Sequence, residues 1–447
     1  MQQLIFRLDH FDPLLLMQQL APYGPGFLES QNPNRRTGAY SILPLRVVES
    51  YRLNADGLVR LRDGCQQRLP GAPLVILGEI LKQRSITADA LFPGGFFGSF
   101  NYDLATWLEE LPTTALRDLP VPQLWLDWVD LTAVYDHDRR ELTLATLRDD
   151  DDLEQLAGQI RQAAQHPLPT GTFQATGMRP DLEPASFEAM VERAREYIAA
   201  GDIYQANLSV RFGGRCQGSS AEFYRRMRQI NPSPFACYLR SPGLEIISAS
   251  PERLVSLHHG IAETRPIAGT RKRGSTSDED ADLKQELLAH PKERAEHIML
   301  LDLERNDLGK VCRPGSVEVD ELMVLEQYSH VTHIVSNVRG ELRPEYGAMD
   351  LVAATFPGGT ITGVPKKRCM EIIDELEPTG RGSYTGSAGY LSVTGHMDLN
   401  ILIRTLQRYG DQLTFQVGAG IVADSIPKRE WQECLNKGEA LMKALNQ

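Results

Sequence analysis

Between Ser186 and Phe212 the hydrophobic pattern changes period, and that change fixes the fold class. Ser186 can cap a helix whose stripe is Phe187, Met190, Val191, Ala194, Tyr197 and Ile198, and Gly201 ends it. From Gln205 the pattern alternates. Ala206, Leu208, Val210 and Phe212 face one way, and Gln205, Asn207, Ser209 and Arg211 face the other. That predicts a strand with one polar face. Two more helices follow the same logic. One covers about Pro291 to Arg305. The other starts at Pro427, a good first-turn proline, and runs to Leu445. Its core face is Trp431, Cys434, Leu435, Gly438, Met442 and Leu445. Strands fall in hairpin-like order without βαβ alternation, which predicts an α+β fold with large antiparallel sheets.

Composition narrows the function classes. Hydrophobic residues are 42% and charged residues 24% of 447, as in ordinary globular chains. The net charge of −12 gives no electrostatic footprint for nucleic acid. No apolar run approaches a membrane span, and Asp9, His10 and Asp12 interrupt the N-terminal apolar stretch, against a signal peptide. Six scattered cysteines form no CxxC or zinc spacing and read as reduced thiols, so the expected location is cytoplasmic. An acidic run, Asp149–Asp152, opens a stretch that ends near Pro180 and Pro184. We read residues 1–150 as an N-terminal region, 151–184 as a connector and 185–447 as a C-terminal region.

Three groups of residues can carry chemistry. Glu293 and Glu296 share one face of a predicted helix, and Glu430 and Glu433 repeat the spacing on another, with Lys437 one turn further. Such pairs alone are usually solvated faces, but two of them suit a hard cation such as Mg²⁺. Phe356–Lys366, Val417–Val422 and Ile267–Thr270 are glycine-rich and read as loops whose N–H groups can reach a small anion. Phe356–Lys366 lacks the Lys-Ser/Thr ending of a phosphate loop. His333, with His330 nearby, is the best acid–base candidate by its ordinary pKa, against the commoner role of a hydrogen-bonded core histidine. Glu252 is a second candidate, unless it pairs with Arg253.

Several stretches taken together resemble the chorismate-utilising enzymes. They are Gly201–Leu208, Ser250–Arg253, Arg265–Arg271, Lys292–His297, Asp302–Asp307, Phe356–Lys366, Ile403–Thr405 and Gly418–Ser425, with Phe27–Ser30 and Gly94–Asp103 matching more weakly. The resemblance implies an anthranilate synthase component I-like fold, two large antiparallel sheets packed as a sandwich with outer helices. Both halves of the chain then build one intertwined unit. It also implies roles: Glu296 and Glu433 as Mg²⁺ ligands, with Glu293 and Glu430 holding metal-bound water. Tyr384 and Arg404 would grip the enolpyruvyl carboxylate. Gly418, Gly420 and Lys437 would contact a carboxylate, and Gly269 and Thr270 would line the pocket. Glu252 would protonate the departing ring hydroxyl, and His333 would move a proton. Glu29, Ser30, Pro234 and Phe235 resemble the region that holds tryptophan in these enzymes.

Within the family, water-using members carry a lysine base where this chain has Gln205, and an amide cannot deprotonate water. An amine nucleophile is therefore expected. Compactness and the stretches Tyr384–Ser392, Met397–Thr405 and Gln205–Leu208 resemble the aminodeoxychorismate synthases, in which ammonia replaces the ring hydroxyl. Ala268 stands where many of those carry a lysine nucleophile, as in the anthranilate synthases, which remain the alternative. A non-catalytic binding homologue is a third. No glutaminase motif is present, so the expected ammonia source is a separate glutamine amidotransferase subunit.

Overall fold

The computed structural model describes residues 1–22, 24–31, 38–274, 276–327 and 331–446, with 270, 272, 277, 292 and 331 described by backbone alone. His330 lies outside the described residues. Every named strand ladder is antiparallel. One sheet runs from Phe173–Pro180 through Gln205–Gly218, Gln412–Ile421, Thr405–Tyr409, Leu244–Ser250 and Phe235–Ser241 to Gly26–Glu29. The second runs from Leu124–Asp136 through Gly95–Phe100, Ser387–Ser392, Met397–Asn400 and Arg253–His258 to Ile261–Thr264 and Val331–Glu341.

The two sheets are joined by one long pair, Tyr40–Asn54 with Leu124–Asp136, whose register shifts between Pro44 and Glu49. Bulges at that point bend the ladder, so one pair serves both sheets. Between the sheets, Phe97, Trp125, Ala388 and Tyr390 of the second pack with Cys237, Leu239, Leu244 and Ile246 of the first. A second core lies outside the first sheet, under helices Pro13–Leu20, Leu153–Ala163, Pro184–Ala200, Ser220–Ile230 and Pro427–Leu445. A third lies outside the other sheet, under Pro73–Gln83, Pro291–Gly309 and Ala348–Thr355. The order is helix, sheet, sheet, helix.

Several sequence expectations shift. The helix expected from Ser186 begins at Pro184, because a proline at the first turn forfeits no hydrogen bond and presets the backbone. Gly201 ends it at φ +83°, as expected. The helix from Pro291 runs on to Gly309, and that from Pro427 ends at Leu445. Residues 151–184 contain a helix and a strand paired to Gln205–Gly218.

The polar side of Gln205–Gly218 does not face water. Asn207, Ser209 and Arg211 are all buried. Beneath them lies a buried ion pair. Arg381 donates to both oxygens of Glu377 (2.9 and 2.7 Å), to the Asn207 carbonyl (2.6 Å) and to the Ile361 carbonyl (2.9 Å). Glu377 in turn accepts from the Ser209 N–H and hydroxyl, both at 2.8 Å. The guanidinium is 1% exposed and the carboxylate 3%. Arg381→Ala leaves that carboxylate without its countercharge, so we expect a loss of about 3–5 kcal/mol, read as a lower urea midpoint.

Candidate active site

The site is built on two neighbouring strands. Gly418 and Gly420 lie two apart on Gln412–Ile421, on the side that carries Asn207 and Gln205 across the ladder. A Cβ at Gly418 would stand 2.8 Å from the Tyr384 hydroxyl and 2.9 Å from Asn207 Oδ1. At Gly420 it would stand 2.6 Å from Gln205 Nε2. Both glycines therefore exist for close approach rather than for a turn. Val417–Val422 and Ile267–Thr270, expected as loops, are largely strands. Lys437 reaches from the last helix to donate to the Gly418 carbonyl (2.9 Å), and it also pairs with Glu433 (2.7 Å).

Glu252 follows strand Leu244–Ser250 and is 6% exposed. Burial pushes its carboxyl up to about 7, against the pull of the Thr360 hydroxyl, the Ile267 backbone, Arg404 and Lys437. Burial is the leading cause. The expected alternative partner, Arg253, turns to Asp398 instead with two bonds of 2.8 Å. His333 lies opposite Thr270, which enters only through its backbone, and its Nδ1 is 3.4 Å from the Gly269 carbonyl. Burial and Arg404 hold this imidazole down at about 4, so it is neutral at pH 7. Arg404 itself sits at φ +52°, with Nη1 3.5 Å from Asn231 Oδ1.

Among the described residues the buried Gln205 Oε1 lacks a hydrogen-bond partner, while Thr360 faces Glu252 and Thr264 faces Glu304 in looser geometry. Leaving a buried polar atom unpaired costs about 1–3 kcal/mol, so Gln205 Oε1 is a candidate contact for a polar ligand. Lys366, at the end of the glycine-rich loop, is tied to Asp307 (2.5 Å) and the Thr355 carbonyl (2.8 Å). It anchors the loop beside Thr360. Thr264, Thr360 and the Arg381–Glu377 pair were not singled out by sequence. Thr360 lay inside a quoted loop, but nothing local set it apart.

Glu293 accepts from Arg271 (3.0 Å), and its other oxygen comes within 3.0 Å of where a Cβ on Gly269 would lie. Glu296 is half-buried one turn along the same helix, and Glu430 lies half-buried one turn before Glu433. An all-carboxylate donor set fits a hard dication such as Mg²⁺. Among the described residues no three acidic, His or Cys side chains already converge as a ligand shell. Glu293 and Glu433 each have a cationic neighbour in its place.

The other set of expected residues sits elsewhere. Glu29, Pro234 and Phe235 line a cavity of about 480 Å³ between the sheets, with Tyr390, Asn400 and Arg253. Glu29 accepts from Tyr224, Gln31 (2.8 Å) and Arg228 (3.4 Å). The Ser30 hydroxyl is buried without a partner. Asn231 bonds Arg404, and Pro234 and Phe235 line the cavity, so Asn231–Phe235 joins the cavity to the first site.

Residues 60–443 match the chorismate binding enzyme family, and the chain belongs to it. An anthranilate synthase component I-like protein of Synechocystis is 50% identical over 360 residues, 79% of this chain and 73% of that one. Aminodeoxychorismate synthase component 1 of Bacillus subtilis is 43% identical over 425 residues, 92% and 90% of the two chains. The crystal structure of anthranilate synthase component I from Streptococcus pneumoniae superposes with a TM-score of 0.79 at 35% identity, covering 96% of this chain and 97% of that one. The fold is thus the anthranilate synthase component I fold, and the chain is an enzyme of the chorismate-utilising family. No described helix is long and apolar enough to cross a membrane.

At Gly420 an added methyl meets only the mobile end of Gln205. Gly420→Ala should therefore keep its melting temperature within about 2 °C while kcat/KM for chorismate falls at least about tenfold. Paired thermal and steady-state measurements check this.

Proposed function

We propose that this chain aminates chorismate, using ammonia from a glutamine amidotransferase partner to form 4-amino-4-deoxychorismate. The observation that carries the reading is the buried acid Glu252; the resemblance adds that the position of Gln205, an amide, is where water-using members carry their base. Ammonia is a nucleophile without such help. The end-to-end match to the Bacillus aminodeoxychorismate synthase supports the product.

In the reaction the ring hydroxyl leaves as water and ammonia supplies the new C–N bond, losing one proton. Glu252, in its acid form, protonates the departing oxygen. Tyr384, Arg404 and Lys437 hold the substrate's carboxylates, while the strand backbones at Gly418 and Gly420 approach them closely. Glu296 and Glu433 would hold Mg²⁺, with Glu293 and Glu430 alongside. A bound dication would offset the charge of a substrate carboxylate in an acidic protein. The neutral imidazole of His333 is available to accept a proton.

A second reading has its own support. Ala268 has no nucleophile, and a neutral His333 suits removal of a ring proton, as loss of pyruvate to anthranilate would require. Incubating pure chain with chorismate, Mg²⁺ and ammonium separates the two. Release of an intermediate that an aminodeoxychorismate lyase converts to 4-aminobenzoate supports the proposal; anthranilate with equal pyruvate replaces it by the second reading. Glutamine alone should give no turnover.

The acid form of Glu252 is needed, so kcat/KM for chorismate at constant free ammonia should fall once the pH passes about 7. Glu252→Gln should lose at least about a hundredfold in kcat while still binding chorismate. The cavity beside Glu29, Ser30, Pro234 and Phe235 is proposed to hold tryptophan. Calorimetry with tryptophan, repeated on a Phe235→Ala chain, should show binding lost in the variant.

A further inference from the structure

In the reaction above, helix Pro291–Gly309 supplies Glu293 and Glu296, and strand Val331–Glu341 supplies His333. A buried pair that the reaction does not use ties that helix to that strand. His297 stands four residues after Glu293, hence on the same helix face, and is fully buried. Its Nε2 lies 2.5 Å from the Ser336 hydroxyl, which is also fully buried. Ser336 comes three residues after His333, so the two side chains leave opposite faces of the strand.

This strand has a bulge beside it on each edge. Its ladder with Ile267–Lys272 shifts between Ala268 and Thr270, where Gly269 sits at φ +70°. Its ladder with Glu318–Gln327 shifts between Glu321 and Val324, where Met323, not a glycine, sits at φ +53°. Bulges free backbone groups from the ladder and re-aim the chain. Ser336 closes the second bulge: its Oγ accepts from the Met323 N–H (2.9 Å), and its own N–H donates to the Pro266 carbonyl (3.3 Å). At the first bulge, Glu293 Oε2 lies 3.0 Å from where a Cβ on Gly269 would stand. The helix thus meets the strands at two points, Glu293 at one bulge and His297 at the residue that closes the other.

Among the described residues the Ser336 hydroxyl has no other acceptor, and His297 Nδ1 has no hydrogen-bond partner. With the imidazole proton on Nδ1, Nε2 accepts the Ser336 proton and one polar group is left over. The other tautomer leaves two, the Ser336 proton and the Nδ1 lone pair. Buried groups favour the arrangement with fewer unpaired.

We propose that His297, with its proton on Nδ1, is a positioning residue: by accepting from Ser336 it fixes helix Pro291–Gly309 against the strand of His333, and so sets where Glu293 and Glu296 stand. This rests on the reading of those glutamates as part of the Mg²⁺ site. A small ion that demands strict geometry, held between carboxylates of two helices, tolerates little error in the placing of either helix.

The test compares His297→Leu, His297→Gln and Ser336→Ala with wild type. Glutamine can place an amide oxygen near the position of Nε2, and leucine offers no acceptor. Mn²⁺, a spectroscopic substitute for Mg²⁺, is titrated into each chain without chorismate, and free ion is read by electron paramagnetic resonance. His297→Leu and Ser336→Ala should each bind at least about tenfold more weakly, and His297→Gln within about threefold of wild type. The double variant His297→Leu with Ser336→Ala should bind no more weakly than either single one, because one bond is lost once. A leucine variant that melts lower but binds Mn²⁺ as wild type does overturns the proposal and leaves His297 a packing residue. A glutamine variant as weak as the leucine one overturns it too. Nitrogen-15 shifts of the wild-type imidazole need neither variant nor metal: a proton on Nδ1 alone supports the proposal, and one on Nε2 or on both overturns it. A wild-type chain that takes up no Mn²⁺ overturns the metal reading and the role of His297 with it, whereas normal uptake with an indifferent leucine variant overturns the role alone.

Discussion

The bidentate bond between Arg381 and Glu377 holds the site in place. Neither group is accessible to water, and the pair is made sound by what surrounds it: carbonyls of Asn207 and Ile361 on the arginine, the Ser209 N–H and hydroxyl on the glutamate. Those partners belong to the active-site strand and to the glycine-rich loop. The guanidinium also lies under the rings of Tyr102 and Tyr384, at 4.9 and 5.6 Å. One charge pair thus fixes the strand that carries Gln205, the loop that carries Thr360 and the tyrosine expected to hold substrate. Pairs of this kind are costly to form and costlier to break from one side, which makes the arrangement specific rather than merely stable.

The same economy of charge runs through the chamber. Arg253 is matched to Asp398, Lys366 to Asp307 and Arg271 to Glu293. Glu252 and Glu304 are left buried and near neutrality, while Arg404 and Lys437 supply positive field around a space edged by the unpartnered Gln205 Oε1. Under the proposed function a dianionic substrate would meet these positive groups beside a buried acid, a preorganised environment that needs little rearrangement as charge develops.

The periodic elements were legible in the sequence because their patterns are local. The helices from Pro184 and Pro427 and the strand from Gln205 announce themselves by spacing, and Gly201 by its place after a helical stripe. Close approach was not legible. Nothing beside Gly418 says that Tyr384 stands opposite it, and the resemblance alone brought the two together. The polar face of Gln205–Arg211 was legible by alternation, but not what it faces, because period alone cannot tell water from a buried ionic network. The partner of Lys366 was illegible for a like reason: Asp307 sits on a helix distant in sequence.

The shared pair of long strands, Tyr40–Asn54 with Leu124–Asp136, has a consequence for how the molecule is made. Strand Gly95–Phe100 must find Ser387–Ser392, and Gly26–Glu29 must find Phe235–Ser241. A ribosome releases the first strands long before it supplies their partners. Most of the sheet edge would then wait unpaired, and such long-range antiparallel closure is slow and exposes sticky edges. The candidate site forms late, since the strand with Gly418 and the helix with Lys437 follow the rest of the sheets in the chain.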